Sequence, residues 1–301
     1  MRCGWVLPKV RGLFYAFMAA VCWSIGPIFV KFLQNFYGVN TQNAYRFLAA
    51  GLLLMLIYLY RERGLCLGIY RVLRKATVAA VVVNIFQTVL IAGIYLTKAS
   101  TAAFLMRLSA VFVGLMGYIF YVDERKLVKN RKYLVGLVLA LAGVSGFTLK
   151  FGGGEIFDLG AFLILVSSVL WSFYIILLKK YGQGEDPLLF TSLIFIVGGI
   201  MLLPFSFVES GLEQMINAPT LVTLILVFSG LVSIGFSNWS NIMAINRVGA
   251  VAASTVQLIQ PALTSIFAVM LLGEAIALRE AFFGLVILVG NGLVAYALYE
   301  S

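Results

Sequence analysis

Arg107 lies about eight residues into a long apolar stretch of a 301-residue chain, with no Asp, Glu or His at comparable depth to partner it. A guanidinium in hydrocarbon costs a few kcal/mol or more unless it faces protein or a water-filled cavity, so this group must point inward. Two uses fit. It binds a carboxylate or phosphate in bidentate fashion, as its planar fork allows, or it pairs structurally with backbone carbonyls or a polar neighbour. An offset of 150 residues puts Gln257 at the equivalent depth of a later stretch. Gln257, Gln260 and Thr264 follow at steps of three and four, which is one helical face, and Pro261 beside them frees a backbone carbonyl.

Other polar groups recur in the same pattern. Ser229, Ser233, Ser237 and Asn241 stand four residues apart, with Asn238 close beside the stripe. Small hydroxyls also serve helix packing in membranes, a reading that fits Ser229 and Ser233 as well as cavity lining; Ser237 and Asn241 are the better cavity candidates. Asn84 and Gln87 form a similar inward pair. Trp23, Trp171, Tyr174 and Trp239 lie inside apolar stretches, whereas membrane tryptophans more often collect at the water interface. They either wall a cavity or fill packing between helices. The candidate substrate-binding set is therefore Trp23, Asn84, Gln87, Arg107, Trp171, Tyr174, Ser237, Asn241, Gln257 and Gln260. Aromatic walls with a few convergent polar groups suit a small amphipathic molecule, such as an amino acid or a related zwitterion or anion.

Catalytic chemistry finds little support. The chain has no histidine, and Cys3, Cys22 and Cys66 make neither an even disulfide framework nor a metal-ligand spacing. No acidic pair suits a metal, and no serine or cysteine has a plausible base, so neither an enzyme nor a cofactor is expected. An intramembrane enzyme acting on a lipid or isoprenoid phosphate, with Arg107 on the phosphate, is the rival class. A lipid flippase of the same fold is another. Every acid, including Asp123, Glu124, Asp158, Asp186 and Glu274, falls in a connection or at a stretch end. That favours facilitated diffusion or exchange over proton coupling, with Asp123 or Glu274 at a cavity mouth as the proton-linked alternative.

The elements that must position these groups follow from composition. Residues are 62% hydrophobic and 11% charged, with a mean hydropathy of +1.03, which puts the chain in a bilayer. Spanning helices need about 20 apolar residues each, and polar breaks leave ten such stretches: 12–34, 43–60, 76–96, 99–121, 132–150, 157–178, 188–208, 220–244, 249–272 and 280–299. The first follows Lys9 and Arg11 but is too long for a cleaved signal and is read as retained. With the N-terminus inside, the tail and even-numbered connections hold sixteen of the 22 Lys and Arg residues, the other side holds four, and Arg46 and Arg107 lie within spans. Both termini are thus expected in the cytoplasm, at the cell membrane. The net charge of +10 reads as orientation, not as a nucleic-acid surface. Arg46, three residues into its stretch, is expected to snorkel outward as an anchor.

The chain is also written twice. Trp23, Ser24 and Lys31 recur 148 residues later as Trp171, Ser172 and Lys179, and Gly136-Leu137-Val138 as Gly284-Leu285-Val286. Residues 1–150 and 151–301 read as two repeats. Five spans per repeat is odd, so the second copy is inverted, and the basic connections at 61–75 and 125–132 have nearly uncharged or acidic counterparts at 209–219 and 273–280. Gly136, Ala140 and Gly143 form a small-residue ridge for close packing, within the chain or in a homodimer.

These residues carry a resemblance. The tryptophan-bearing first helix of each half with Lys31 or Lys179, Arg46 opening the second helix, and Gln260-Pro261 leading to Gly273-Glu274 resemble EamA-type members of the drug/metabolite transporter superfamily over nearly the whole chain. The first half departs, with Ser109-Ala110 leading to Asp123-Glu124 and no proline. The resemblance implies an all-α integral membrane protein of ten transmembrane helices in two inverted five-helix repeats. It also implies transport, here read as export, of a small organic metabolite by alternating access.

Overall fold

The computed structural model describes residues 3–62, 69–96, 105–148, 159–272 and 278–300; Gly273, Glu274 and Asp158 lie outside them. Among the described residues there is no strand. The helices are α1 Cys3–Ser24, α2 Gly26–Leu33, α3 Val39–Glu62, α4 Ile69–Leu96, α5 Ser109–Phe120, α6 Val122–Lys129, α7 Arg131–Thr148, α8 Leu159–Gly182 and α9 Pro187–Val208. They continue as α10 Gly211–Asn217, α11 Thr220–Gly230, α12 Ser237–Val248, α13 Ala250–Val256, α14 Gln260–Leu272 and α15 Leu278–Glu300. A π-helical turn, Leu231–Phe236, joins α11 to α12, and a 3-10 turn, Gln257–Ile259, joins α13 to α14. Helix occurs in each expected apolar stretch. Among the described residues, six segments are long and apolar enough to cross a membrane: Lys9–Leu33, Val39–Glu62, Ile69–Leu96, Leu159–Gly182, Pro187–Val208 and Thr220–Val248. Shorter apolar helices occupy 105–120 and 285–294.

The starts of two helices have clear causes. At α9, Pro187 sits in the first turn and the Asp186 carboxylate accepts from the amides of Leu188 (2.9 Å) and Leu189 (3.1 Å), which satisfies orphan donors. At α3 the cap comes from far away. Glu209 accepts from the amides of Asn40 (3.1 Å) and Thr41 (2.9 Å) and from both side chains, while Gln214 takes the Gly38 amide at 2.8 Å. A carboxylate at a helix N-terminus also meets the positive end of the dipole. The polar residues 40–42, expected outside the membrane helix, are therefore its first turn.

Packing joins helices distant in sequence. α3 runs along α9, α4 along α8, α1 along α12, and α7 along α15. One continuous apolar core threads these pairs, from Ala16 and Phe47 through Trp171 and Phe195 to Val251. The contact of α7 with α15 uses the small-residue ridge. A Cβ on Gly136 would lie 2.7 Å from the Gly290 carbonyl oxygen, and one on Gly290 would lie 2.6 Å from the Ala140 amide. The ridge is thus spent inside the chain, leaving it unavailable to a second copy.

Gly290→Ala should therefore force the two helices apart and lower stability by about 1–3 kcal/mol, the usual cost of overpacking. Gly292→Ala, with nothing within 4 Å of its added methyl, should be neutral or slightly stabilising. Unfolding temperatures of the two variants in detergent check this, and equal values would contradict the packing described.

Candidate functional site

Four helical irregularities meet around one cavity. The first is at Ile25, between α1 and α2, where Pro27 removes an amide donor. The Ile28 amide turns to the Ile25 carbonyl (3.2 Å), and the Ser24 carbonyl accepts instead from the Thr264 hydroxyl on α14 at 2.9 Å. The second is the turn at Leu108 ahead of α5, where the Ser109 hydroxyl donates to the Met106 carbonyl at 2.6 Å. The third is the π turn at 231–236, a distortion that recurs at functional sites. The fourth is the 3-10 turn at 257–259. Pro261 cannot donate to the carbonyl four residues before it, that of Gln257, and Arg107 Nη1 donates to that oxygen at 2.8 Å.

The cavity holds about 960 Å³ of empty space, part of it continuous with the outside. Six of the ten expected residues line it: Trp23, Gln87, Arg107, Trp171, Gln257 and Gln260. The other four stand behind the wall. Asn84 donates to the Gly198 carbonyl at 3.0 Å and ties α4 to α9. Tyr174 stacks on Trp171 with centroids 5.5 Å apart and donates to Asn238 at 3.4 Å. Ser237 donates to the Ser233 carbonyl at 2.7 Å, and Asn241 accepts from the Gln257 amide at 3.0 Å, which orients that glutamine. These four are supports, one layer from the space.

Arg46 is a correction. It does not snorkel outward; it is 3% exposed and lines the same cavity as Arg107. Gly230 makes this possible, because a Cβ there would meet the Arg46 carbonyl oxygen at 2.6 Å. Only glycine lets α11 press so closely on α3. Arg46 Nη1 donates to Gln42 at 3.3 Å, Gln42 in turn donates to the Tyr95 hydroxyl at 3.0 Å, and Tyr95 donates to the Tyr37 carbonyl at 3.1 Å. The Nε atoms of Arg46 and Arg107 and the Ser233 hydroxyl are buried without a partner. No Asp or Glu lines the cavity among the described residues.

Trp23 and Trp171, equivalent by the 148-residue offset, meet edge to face with centroids 5.1 Å apart and planes at 85°. Phe86 packs on Trp171 at 5.0 Å. Edge-to-face aromatic contacts of this kind contribute about 0.5–1.5 kcal/mol beyond area burial, so the floor of the cavity is a fixed aromatic cluster.

Comparison with known proteins settles the family. The sequence matches the family described as EamA-like transporter family over residues 10–149 and again over 158–296. The chain belongs to that family. It is 29% identical over 221 residues to an uncharacterized transporter of Clostridium kluyveri, covering 71% of this chain and 69% of that one. It is 27% identical over 279 residues to an uncharacterized transporter of Archaeoglobus fulgidus, covering 91% and 93%. A WAT1-related protein of Arabidopsis thaliana, described as chloroplastic, is 22% identical over 285 residues, covering 92% of this chain and 66% of that one. A solved crystal structure superposes with a TM-score of 0.75 over 94% of this chain and 97% of its own, at 14% identity, a likeness of fold.

In this EamA-family chain a second polar centre lies some 20 Å from the cavity along α1, the rise from Lys9 to Trp23. Lys179, 2% exposed at the end of α8, donates to Glu124 at 2.8 Å and to Asp123 at 2.5 Å. Glu124, 3% exposed, also accepts from the Ala250 amide at 2.7 Å. Gly249, at φ +84, leaves room for that carboxylate, since a Cβ would lie 2.7 Å from its oxygen. Asp123 is largely exposed, so water screens its share. The cluster ties the starts of α6 and α13 to the end of α8.

Lys179→Met should strand a buried carboxylate and cost about 3–5 kcal/mol of stability. Adding Glu124→Gln, which keeps the acceptor for Ala250, should restore most of the loss. Detergent unfolding of the single and double variants checks the pair, and a double variant no better than Lys179→Met would contradict it.

Proposed function

We propose that this membrane transporter moves a small organic metabolite bearing an acidic group, an amino acid or a related zwitterion or anion, outward across the cell membrane. Arg107 is its anchor. The observation that carries the reading is a guanidinium facing a cavity with a single hydrogen bond to a backbone carbonyl and no carboxylate among the described lining residues. A buried charge so sparsely paired is costly unless a ligand completes it. Gln257 and Gln260 supply amides for the polar end of the substrate, and Trp23, Phe86 and Trp171 take its apolar body.

The proposed architecture is ten spans in two inverted repeats, 1–150 and 151–301, that rock about the cavity. Three observations support it. The family match occurs twice, once in each half. The contact of α4 with α8 maps by the repeat offset onto the contact of α12 with α1. The equivalent Trp23 and Trp171 touch each other, as residues beside a twofold axis would. In this reading the Lys179 cluster closes the cytoplasmic face, where both termini lie, and the cavity faces outward. The lack of an acid lining the cavity among the described residues supports facilitated diffusion or exchange.

Proteoliposomes preloaded with unlabelled solute and offered labelled amino acids and organic anions test the proposal. Uptake of at least one should fall about tenfold or more in Arg107→Ala, the loss expected for a charge-assisted hydrogen bond. Absence of uptake across the panel, or uptake indifferent to Arg107, would contradict it.

A further inference from the structure

The cavity holds two arginines, and a single acidic group accounts for only one. We infer that its substrate is a doubly charged organic anion, a dicarboxylate or a phosphate monoester, held between Arg46 and Arg107. This rests on the transport reading of the cavity and narrows its substrate class.

The two cations arrive from different elements, and neither is balanced by a carboxylate among the described residues. Arg107 precedes α5 and reaches the carbonyl of Gln257; Arg46 comes from α3, where Gly230 lies close against its backbone. Each has one hydrogen bond to a neutral oxygen, Gln257 O for Arg107 and Gln42 Oε1 for Arg46, and each keeps a buried Nε without a partner. A guanidinium offers five donors, so most of the donor capacity of both groups remains for a ligand. The carboxylates that might have neutralised them are held elsewhere. Glu209 caps α3, Glu124 and Asp123 bind Lys179, Glu185 binds Lys75 at 2.6 Å, and Asp186 caps α9 and binds Arg61.

The same geometry disfavours a zwitterion. An ammonium group would share the cavity with two guanidinium groups and find no carboxylate among the described lining residues. Trp171, the more enclosed of the two tryptophans, is packed against Trp23, Phe86 and Tyr174. A second anionic group instead removes the desolvation cost of Arg46 and repays it with charge-assisted hydrogen bonds.

Tryptophan fluorescence, with Trp23 and Trp171 at the site, reads binding to the purified full chain. The ligands are dicarboxylates of increasing chain length, their monomethyl esters, phosphate monoesters of matched skeleton, and amino acids. At least one dianion should bind about tenfold to a hundredfold more tightly than its singly charged partner, the contribution of one charge-assisted contact. Arg46→Gln should bring that ratio to about one. Arg46→Lys, which keeps the charge without the fork, should retain a reduced preference, and it serves if Arg46→Gln does not fold. The better-bound arm identifies dicarboxylate or phosphate. An amino acid or monoanion that binds as tightly as every dianion, and is indifferent to Arg46 while depending on Arg107, would overturn this inference and leave the carrier reading intact. No binding and no uptake of any solute would overturn both.

Discussion

Pro261 lacks an amide hydrogen, so the carbonyl of Gln257 loses the partner a regular helix would give it, and Arg107 donates to that oxygen. Much else follows from this one contact. A guanidinium within an apolar bundle requires an acceptor, and the Gln257 carbonyl, which the 3-10 turn leaves with the Gln260 amide, has a lone pair open to it. The bond joins points 150 residues apart in the chain. The Gln257 side chain, released from the helical wall, is steadied by Asn241 and left facing the cavity. On the other side, after Pro27, the Ile28 amide turns to Ile25 and Thr264 takes the Ser24 carbonyl. The cavity is thus framed by carbonyls at helix breaks that accept from side chains of distant helices.

The remaining structure holds those breaks at fixed positions. Long unbroken helices, α3 with α9 and α4 with α8, pack closely and carry the apolar core. The broken segments pack against them. Glycines are used where backbones must touch, as at Gly230 against Arg46 and Gly290 against Gly136. Charged groups away from the cavity are paired at the helix ends, in the Glu124 and Lys179 cluster and the Glu209 cap. Two arginines without a carboxylate partner among the described residues, Arg46 and Arg107, share one cavity.

Much of this was readable in the sequence because a bilayer penalises exceptions. Arg107, Gln257, Gln260 and the two tryptophans stood out as polar or amphipathic groups at depth, and periodicity gave their face. What periodicity cannot give is what lies across that face. Asn84 points inward as its spacing suggests, but the Gly198 carbonyl is there to meet it. Tyr174 and Asn241 likewise face neighbouring helices one layer out. Arg46 was misread for a local reason. The run Asn40-Thr41-Gln42-Asn43 resembles a loop, which left Arg46 near a helix end, but Glu209 caps that run into α3 and sets Arg46 about two turns inside. A cap supplied from 169 residues away leaves no local signal.

The central claim is that the substrate anion sits in the cavity framed by these breaks. Ser233→Cys, in a chain with its three native cysteines replaced by serine, puts a thiol on that wall beside the π turn. The rate of its modification by a small membrane-impermeant thiol reagent, added outside sealed vesicles, is measured with and without the organic anion those vesicles take up. The account predicts that the anion slows modification in a saturable manner and that Arg107→Ala abolishes the protection. Modification at the same rate with and without a transported anion would contradict it.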